Sequence, residues 1–262
     1  MEGLRISIIQ SDIAWENVAQ NLENYLQCLL PLQGKSDLVV MPEMCTTGFS
    51  MDVAFLAELD NGQTMQTIRS WAQKLDLAIA GSFVAKDING KLFNRGFFVT
   101  PDGDASFADK RHLFQISGEN CVFTAGTNCP VISYKAWNIR LIVCYDLRFP
   151  VWIRNKNNEY DLLLCVANWP TSRATIWKVL LQARAIENLC YVCGVNRIGT
   201  DHNGIQYQGD SVVLDFKGDT LLATEVNKAS VATTTISQTQ LQQFRQKFPV
   251  WQDADAFKIE EN

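Results

Sequence analysis

Ile142-Val143-Cys144-Tyr145-Asp146-Leu147-Arg148-Phe149-Pro150 is the stretch from which the rest of the chain can be read. An apolar run, Trp137–Val143, delivers a single thiol. Polar residues and a proline follow at once, so the run reads as a buried strand that stops at Cys144. Two other segments share the pattern of a reactive or charged residue just past an apolar strand: Val39-Val40-Met41-Pro42-Glu43-Met44 and Phe107-Ala108-Asp109-Lys110-Arg111-His112. Strand ends are where layered α/β proteins place their working groups.

Outward from these three points, strand and helix patterns alternate. Leu4–Gln10 and Asp37–Met41 read as strands, with a helix over Trp15–Leu32 between them, its apolar residues at helical spacing. Thr64–Leu75 reads as a second helix. Leu77–Lys86 and Leu92–Thr100 read as a hairpin around Asn89-Gly90. A long irregular stretch, Lys110 to Asn128, precedes the strand pair Val131–Tyr134 and Trp137–Val143; such segments in compact domains often carry function. Val151–Lys156 reads as a short helix, Asp161–Ala167 as a wholly apolar strand and Thr171–Glu187 as an amphipathic helix. Leu189–Asn196, Ile205–Asp215 and Ser230–Ile236 complete the strands, and Gln238–Lys247 reads as a polar helix ahead of the tail Phe248–Asn262. The order predicts an α/β fold in helix-covered layers. Without repeat, low-complexity segment or Pro/Gly/Ser linker, residues 1–262 read as one domain, with 237–262 as a C-terminal helix and tail.

Composition sets limits. With 262 residues, 47% hydrophobic and 19% charged, the chain has apolar material for a core and is not of the disordered class. A net charge of −5 and the lack of a dense basic stretch argue against nucleic acid or an anionic membrane as partner. No apolar run approaches the ~20 residues that span a bilayer, and the start shows no secretory pattern, so a cytoplasmic location is expected. In a reducing compartment the eight cysteines read as free thiols. Cys190-Tyr-Val-Cys193 has CxxC spacing but lies in a β-like run with no second pair. His112 and His202 are the only histidines, so a zinc site is not expected.

Glu, Lys and Cys make a coherent chemical set. A thiolate can attack an amide carbonyl to give a tetrahedral oxyanion and then a thioester that water cleaves. A carboxylate can take the thiol proton and later activate water, and an ammonium can meet the oxyanion. A cysteine–histidine dyad through His112 is disfavoured, because no orienting Asn/Asp motif accompanies it.

In these residues the chain resembles the nitrilase superfamily, the carbon–nitrogen hydrolases with a Glu-Lys-Cys triad. Glu43 in Met41-Pro42-Glu43 matches the family base, Lys110 in Asp109-Lys110-Arg111-His112 the family lysine, and Cys144 the nucleophile. Glu119 in Ser117-Gly118-Glu119 matches a second glutamate common in these sites. The likeness extends through Asn168-Trp169-Pro170 and Arg184-Ala185-Ile186-Glu187-Asn188 to about Asp215. It implies an α-β-β-α four-layer sandwich, a homodimer, a small-molecule amide substrate and no metal or organic cofactor. The pieces around Cys144–Pro150, Val166–Pro170, Phe244–Pro249 and Asp253–Phe257 resemble the bacterial omega-amidase branch, which hydrolyses the terminal amide of 2-oxoglutaramate or 2-oxosuccinamate. Other amidases of the superfamily, acting on deaminated glutathione, carbamoyl groups or nitriles, remain open, as does a non-catalytic dimeric binding protein.

The oxyanion hole is expected to combine Lys110 with the backbone N–H of Tyr145. Phe49, Phe114 and Trp169 are candidate pocket walls. Arg173, at a helix start after Asn168-Trp169-Pro170, is a candidate fork for a substrate carboxylate. Arg148 is read as an internal ion pair with its neighbour Asp146. If the chemistry lies at Cys144, the Cys190→Ser/Cys193→Ser double variant should retain amide hydrolysis, whereas a redox function built on that pair would be lost in the same assay.

Overall fold

The computed structural model describes residues 3–260; Met1, Glu2 and the last two residues of the expected tail, Glu261 and Asn262, lie outside the described residues. In chain order the elements are β1 (Gly3–Gln10), α1 (Val18–Leu29), β2 (Leu38–Val40), α2 (Gln63–Leu75), β3 (Ala78–Lys86), β4 (Leu92–Val99), β5 (Ala105–Asp109), α3 (Glu119–Val122), β6 (Val131–Tyr134) and β7 (Trp137–Val143). They continue with α4 (Pro150–Ile153), β8 (Leu162–Ala167), α5 (Ala174–Asn188), β9 (Tyr191–Asn196), β10 (Ile198–Thr200), β11 (Gln206–Gln208), β12 (Val212–Leu214), β13 (Thr220–Ala223), β14 (Ser230–Ser237) and α6 (Gln238–Lys247).

Two six-stranded sheets form, in the orders β14-β1-β2-β3-β4-β5 and β13-β12-β9-β8-β7-β6. Each has three parallel strands at its centre, β1-β2-β3 and β7-β8-β9, and antiparallel strands at its margins. Alternation in β1 explains the layering. Leu4, Ile6 and Ile8 face inward with Val40 and Phe98, and meet Leu141, Val143, Leu164 and Val166 of the other sheet. Ile9, Val39, Ile79 and Phe97 face outward and meet Tyr25 and Leu29 of α1 and Met65, Ile68 and Trp71 of α2. On the far side, Trp177, Leu181 and Ala185 press α5 onto the second sheet. The approach is close enough that a Cβ at Gly194 would lie 2.5 Å from a Leu181 methyl. The fold is thus the α-β-β-α sandwich of the nitrilase type. β8 and β9 are buried along their whole length, as expected of strands covered on both faces.

Boundaries differ from the sequence reading where local polar chemistry intervenes. Helix α1 begins three residues later than Trp15, because the Asn17 side chain accepts from the Gln20 N–H and Glu16 takes a left-handed φ of 52°. Leu30–Leu32 ends it as a tighter 3-10 turn around Pro31. The single run Ile205–Asp215 is two strands, β11 and β12, in different sheets. Gly209 turns the chain with φ +83°, and a Cβ there would collide with the Gln10 side chain, whose Oε1 accepts from the Ser211 N–H. The stretch after Lys110 holds a 3-10 turn at Gln115–Ser117 and the one-turn helix α3. β13 was not read from the sequence. Helix α6, polar in composition, is anchored by buried Leu241 and by Arg245, which donates to Asp161 (2.6 Å), Leu189 O and Tyr160 O. The tail lies back on its own chain, where Lys156 Nζ donates to Phe257 O at 3.2 Å and sits over its ring.

At the N-terminal end of β2, burial opposes ionisation of Asp37, but hydrogen bonds from Arg5 and Lys135 hold its carboxyl far below the usual carboxylate range. A depressed folded-state pKa stabilises the fold above the unfolded value, near pH 4, and that contribution is lost as pH falls further. The stability gap between wild type and Asp37→Asn, measured by urea unfolding, should therefore be constant at neutral pH, begin to narrow near pH 4 and go on narrowing as pH falls toward the depressed folded-state value; a gap independent of pH would contradict this account.

Candidate active site

The four chain segments that build the site leave their strands at one edge of the sandwich. Glu43 follows β2. Lys110 follows β5, which runs in the direction of β3 because both are antiparallel to β4. Cys144 follows β7, and Asn168-Trp169 follows β8. The chain turns sharply at the thiol: Cys144 has a φ of 46° and opens a 3-10 turn through Arg148. A positive φ at a non-glycine residue is strained and is kept only where its surroundings over-determine it. Here Asp146 supplies the restraint. One of its oxygens accepts from the His112 N–H (2.9 Å) and lies 2.8 Å from His112 Nδ1, and the other accepts from the Val143 N–H (3.2 Å). Asp146 thereby ties the lysine segment to the cysteine turn.

Lys110 Nζ lies 2.9 Å from Glu43 Oε1 and 2.9 Å from Glu119 Oε1, with all three side chains at most 1% exposed. Further donors hold the two carboxylates. Asn94 Nδ2 donates to Glu43 Oε1 (2.7 Å) and Glu119 Oε1 (3.2 Å). The Asn168 backbone N–H donates to Glu43 Oε2 (2.7 Å), and the Phe114 N–H donates to Glu119 Oε2 (2.6 Å). Burial alone would lower the Lys110 pKa, but Glu119, Glu43 and the Cys144 sulfur hold it well above the ordinary lysine value. Burial, and then the Glu43 charge, push the Cys144 thiol well above the ordinary cysteine range, against the pull of Lys110. The thiol donates to Asn168 O at 3.9 Å. A thiol so placed reacts only if a neighbouring base takes its proton.

The sulfur opens onto a cavity of about 120 Å³. Phe49, Phe114, Trp169, Arg173, Lys110, Cys144 and Tyr145, all singled out from the sequence, line it; Glu43 and Glu119 stand behind Lys110. The Phe49 ring packs 5.1 Å from Lys110 Nζ. Arg148 also lines the cavity and corrects the sequence reading. Asp146 is engaged by His112 and Val143, and Arg148 turns instead to the faces of Trp169 and Tyr145. His112 is stacked on Phe149 with ring centroids 3.7 Å apart. Its ring nitrogen serves Asp146, and no His112–Cys144 hydrogen bond occurs among the described residues.

Sequence reasoning missed Asn94 and the anchoring role of Asn168, whose Nδ2 donates to Glu43 O at 2.7 Å. The available signal for Asn94 was a polar residue inside the strand Leu92-Phe93-Asn94-Arg95-Gly96-Phe97-Phe98. Asn94 Oδ1 accepts from Ser82 Oγ, which accepts from the Met44 N–H, so the amide is held from both sides. The Cys190/Cys193 pair is wholly buried in the core. Burial pushes the Cys190 thiol up to about 12 and raises Cys193 as well, which disfavours the thiolate that redox exchange needs.

The class these features define is a hydrolase built on a nitrilase-type sandwich. Residues 5–246 match the sequence profile of the carbon–nitrogen hydrolases, and the chain belongs to that family. It is similar to omega-amidase YafV of Escherichia coli K12, 40% identical over 259 residues, covering 99% of this chain and all of that one. It is 30% identical to 2-oxoglutaramate amidase of Bacillus subtilis over 253 residues, 95% of this chain and 96% of that protein. Among solved structures it superposes on XC1258 of Xanthomonas campestris, a CN-hydrolase superfamily protein carrying an arsenic adduct in its active site, with a TM-score of 0.96 and 43% identity over 99% of this chain and all of that one. The protein is an amidase, hydrolysing carbon–nitrogen bonds other than peptide bonds. No helix among the described residues is long and apolar enough to cross a membrane.

Replacing the Asn94 amide by a third carboxylate, Asn94→Asp, should cut amide hydrolysis roughly 10- to 100-fold. Like charges around one lysine favour protonation of the cluster, so the acid limb of the kcat/KM profile should move to higher pH. An unshifted profile would show that Asn94 does not set the charge state of the carboxylates.

Proposed function

We propose that the protein hydrolyses the terminal amide of a small dicarboxylate monoamide, 2-oxoglutaramate or 2-oxosuccinamate, to the acid and ammonia through a thioester on Cys144. The observation that carries this reading is the buried Glu43–Lys110–Cys144 arrangement opening onto a small cavity with arginines in its wall. The similarity to an omega-amidase and a 2-oxoglutaramate amidase supports it.

Glu43 accepts the thiol proton as Cys144 attacks the amide carbon. The oxyanion is met by Lys110 Nζ and by the N–H of Tyr145, one of the donors that the start of a helical turn leaves without an intrahelical partner. The C–N bond breaks as Glu43 returns the proton, and ammonia leaves. Water then donates a proton to Glu43 while its oxygen attacks the thioester carbon, and the C–S bond breaks as Glu43 returns that proton to the sulfur, releasing the carboxylic acid and restoring the thiol and the Glu43 carboxylate. Glu119 holds Lys110 in place from behind. Phe49, Phe114 and Trp169 wall the substrate and Arg173 takes its carboxylate. No metal or organic cofactor enters the scheme. The active species is a cytoplasmic homodimer, a reading supported by eight unpaired cysteines and by the exposed apolar side chains Ile176, Val179 and Ile186 on α5.

Ammonia release from 2-oxoglutaramate should be seen with wild type and vanish in Cys144→Ala. A rapidly quenched Glu43→Gln sample should carry an acyl adduct only on the Cys144 peptide. A folded wild type that releases no ammonia from this substrate would refute the substrate assignment, and an adduct elsewhere would refute the thioester.

A further inference from the structure

A second cavity, of about 270 Å³, shares no wall residue with the catalytic one. Three cations reach it from separate stretches of chain: Arg140 from the middle of β7, Arg154 from just after α4 and Lys156 from the turn that follows. Glu159 is the one carboxylate in that wall among the described residues. Its Oε1 lies 3.1 Å from Arg140 Nη2 and accepts from the Lys156 backbone N–H at 3.4 Å. Cys129 adds no charge, because burial pushes its thiol up to about 12 and its Sγ donates to Leu141 O. Three positive charges against one negative leave an excess of two in a single cavity.

The excess is not relieved by other acids. Arg154 Nη1 donates to a backbone carbonyl, Glu187 O, and Lys156 Nζ to another, Phe257 O; neither cation forms an ion pair among the described residues. Arg140 carries the sharper signal. It is 7% exposed, and its Nε is shut away from solvent with no hydrogen-bond partner among the described residues. An unpaired buried donor on a charged group costs free energy that a bound acceptor would recover. The walls are already set. The Arg140 guanidinium lies 4.8 Å from the Tyr160 ring centroid, and Arg111 holds Trp152 from 4.4 Å. The tail, fixed where Lys156 sits over Phe257, supplies Ile259 as a further wall. A pre-formed cavity with a few polar groups facing it is the ordinary form of a small-ligand site.

We propose that this cavity binds a doubly charged phosphate group, free or as a small monoester, held by Arg140, Arg154 and Lys156. A dianion matches the excess of two charges. Its tetrahedral oxygens accept from guanidinium forks on two sides while the ammonium meets it as a point charge. A monocarboxylate balances only half of the excess and offers two oxygens in one plane. The site is independent of the substrate assigned to Cys144.

Isothermal titration calorimetry of the full chain with inorganic phosphate and with glycerol phosphate tests this, in alkaline buffer where both are doubly charged and at constant ionic strength. At least one of the two should bind and raise Tm, and the tighter one shows whether the free or the esterified group is preferred. Acetate should bind roughly tenfold more weakly or less. In Arg140→Gln the Kd should rise roughly 10- to 100-fold. Lys156→Gln, at an exposed position, should weaken binding in the same direction and carries the test if Arg140→Gln does not fold. Arg173→Gln, which alters the catalytic cavity, should keep the binding. Neither heat nor a rise in Tm with either phosphate, acetate binding as tightly, or unchanged affinity in the Arg140 and Lys156 variants would overturn the proposal. So would loss of binding in Arg173→Gln alone, which would place the anion in the catalytic cavity.

Discussion

Lys110 Nζ is the point on which both halves of the molecule converge. Three charges are shut away from water there, one ammonium between two carboxylates. Burying charges is tolerable only when each is paired and its remaining donors and acceptors are used. That requirement reaches well beyond the triad. Glu43 needs the Asn168 backbone from the second sheet, Glu119 needs the Phe114 backbone, and Asn94 must hold both carboxylates from β4. The cluster is thus satisfied only when β2, β4, β5 and β8 are in register with one another across two sheets. Removing one member of such a set leaves an uncompensated buried charge, typically a loss of about 3–5 kcal/mol.

The register comes from the apolar interior. Inward residues of β1, β2 and β4 meet those of β7 and β8 in one cluster, and α1, α2 and α5 seal the outer faces. Dispersion and burial act without direction. They set the sheets at a fixed spacing but do not choose which polar groups meet at the rim. The polar contacts make that choice: Asp146 joins the His112 segment to the cysteine turn, and Asn196 Oδ1 and Nδ2 clamp the Trp169 backbone. The result is polarity graded with depth, a thiol held protonated among charges at the bottom and arginines on aromatic faces farther out.

How much of this the chain declares along its length depends on the range of the interaction. Pro42-Glu43, Asp109-Lys110 and Val143-Cys144 each follow an apolar strand, so the three groups and their position at strand ends could be read locally, as could the layered α/β class. Gly209 also turns the chain locally, yet the split of Ile205–Asp215 was not legible, because the reason for the glycine is Gln10, about two hundred residues away. Arg148 illustrates the same limit. Its neighbour Asp146 is adjacent in sequence, but a turn with positive φ at Cys144 points the two side chains to different partners. Asn94 looked like one polar residue in a strand.

The sequence by itself therefore offered helix-covered α/β layers, the Glu-Lys-Cys set and the aromatic candidates, since hydrophobic period, strand-end position and residue chemistry are properties of short segments; the four-layer sandwich came only from the resemblance to the nitrilase superfamily. Only the tertiary structure decided that Asn94 and Asn168 hold the carboxylates, that His112 belongs to Asp146, and that Arg148 joins Arg173 in the cavity wall. Those are choices among hydrogen-bond and charge partners brought together from distant segments, and they exist only once the two sheets have packed.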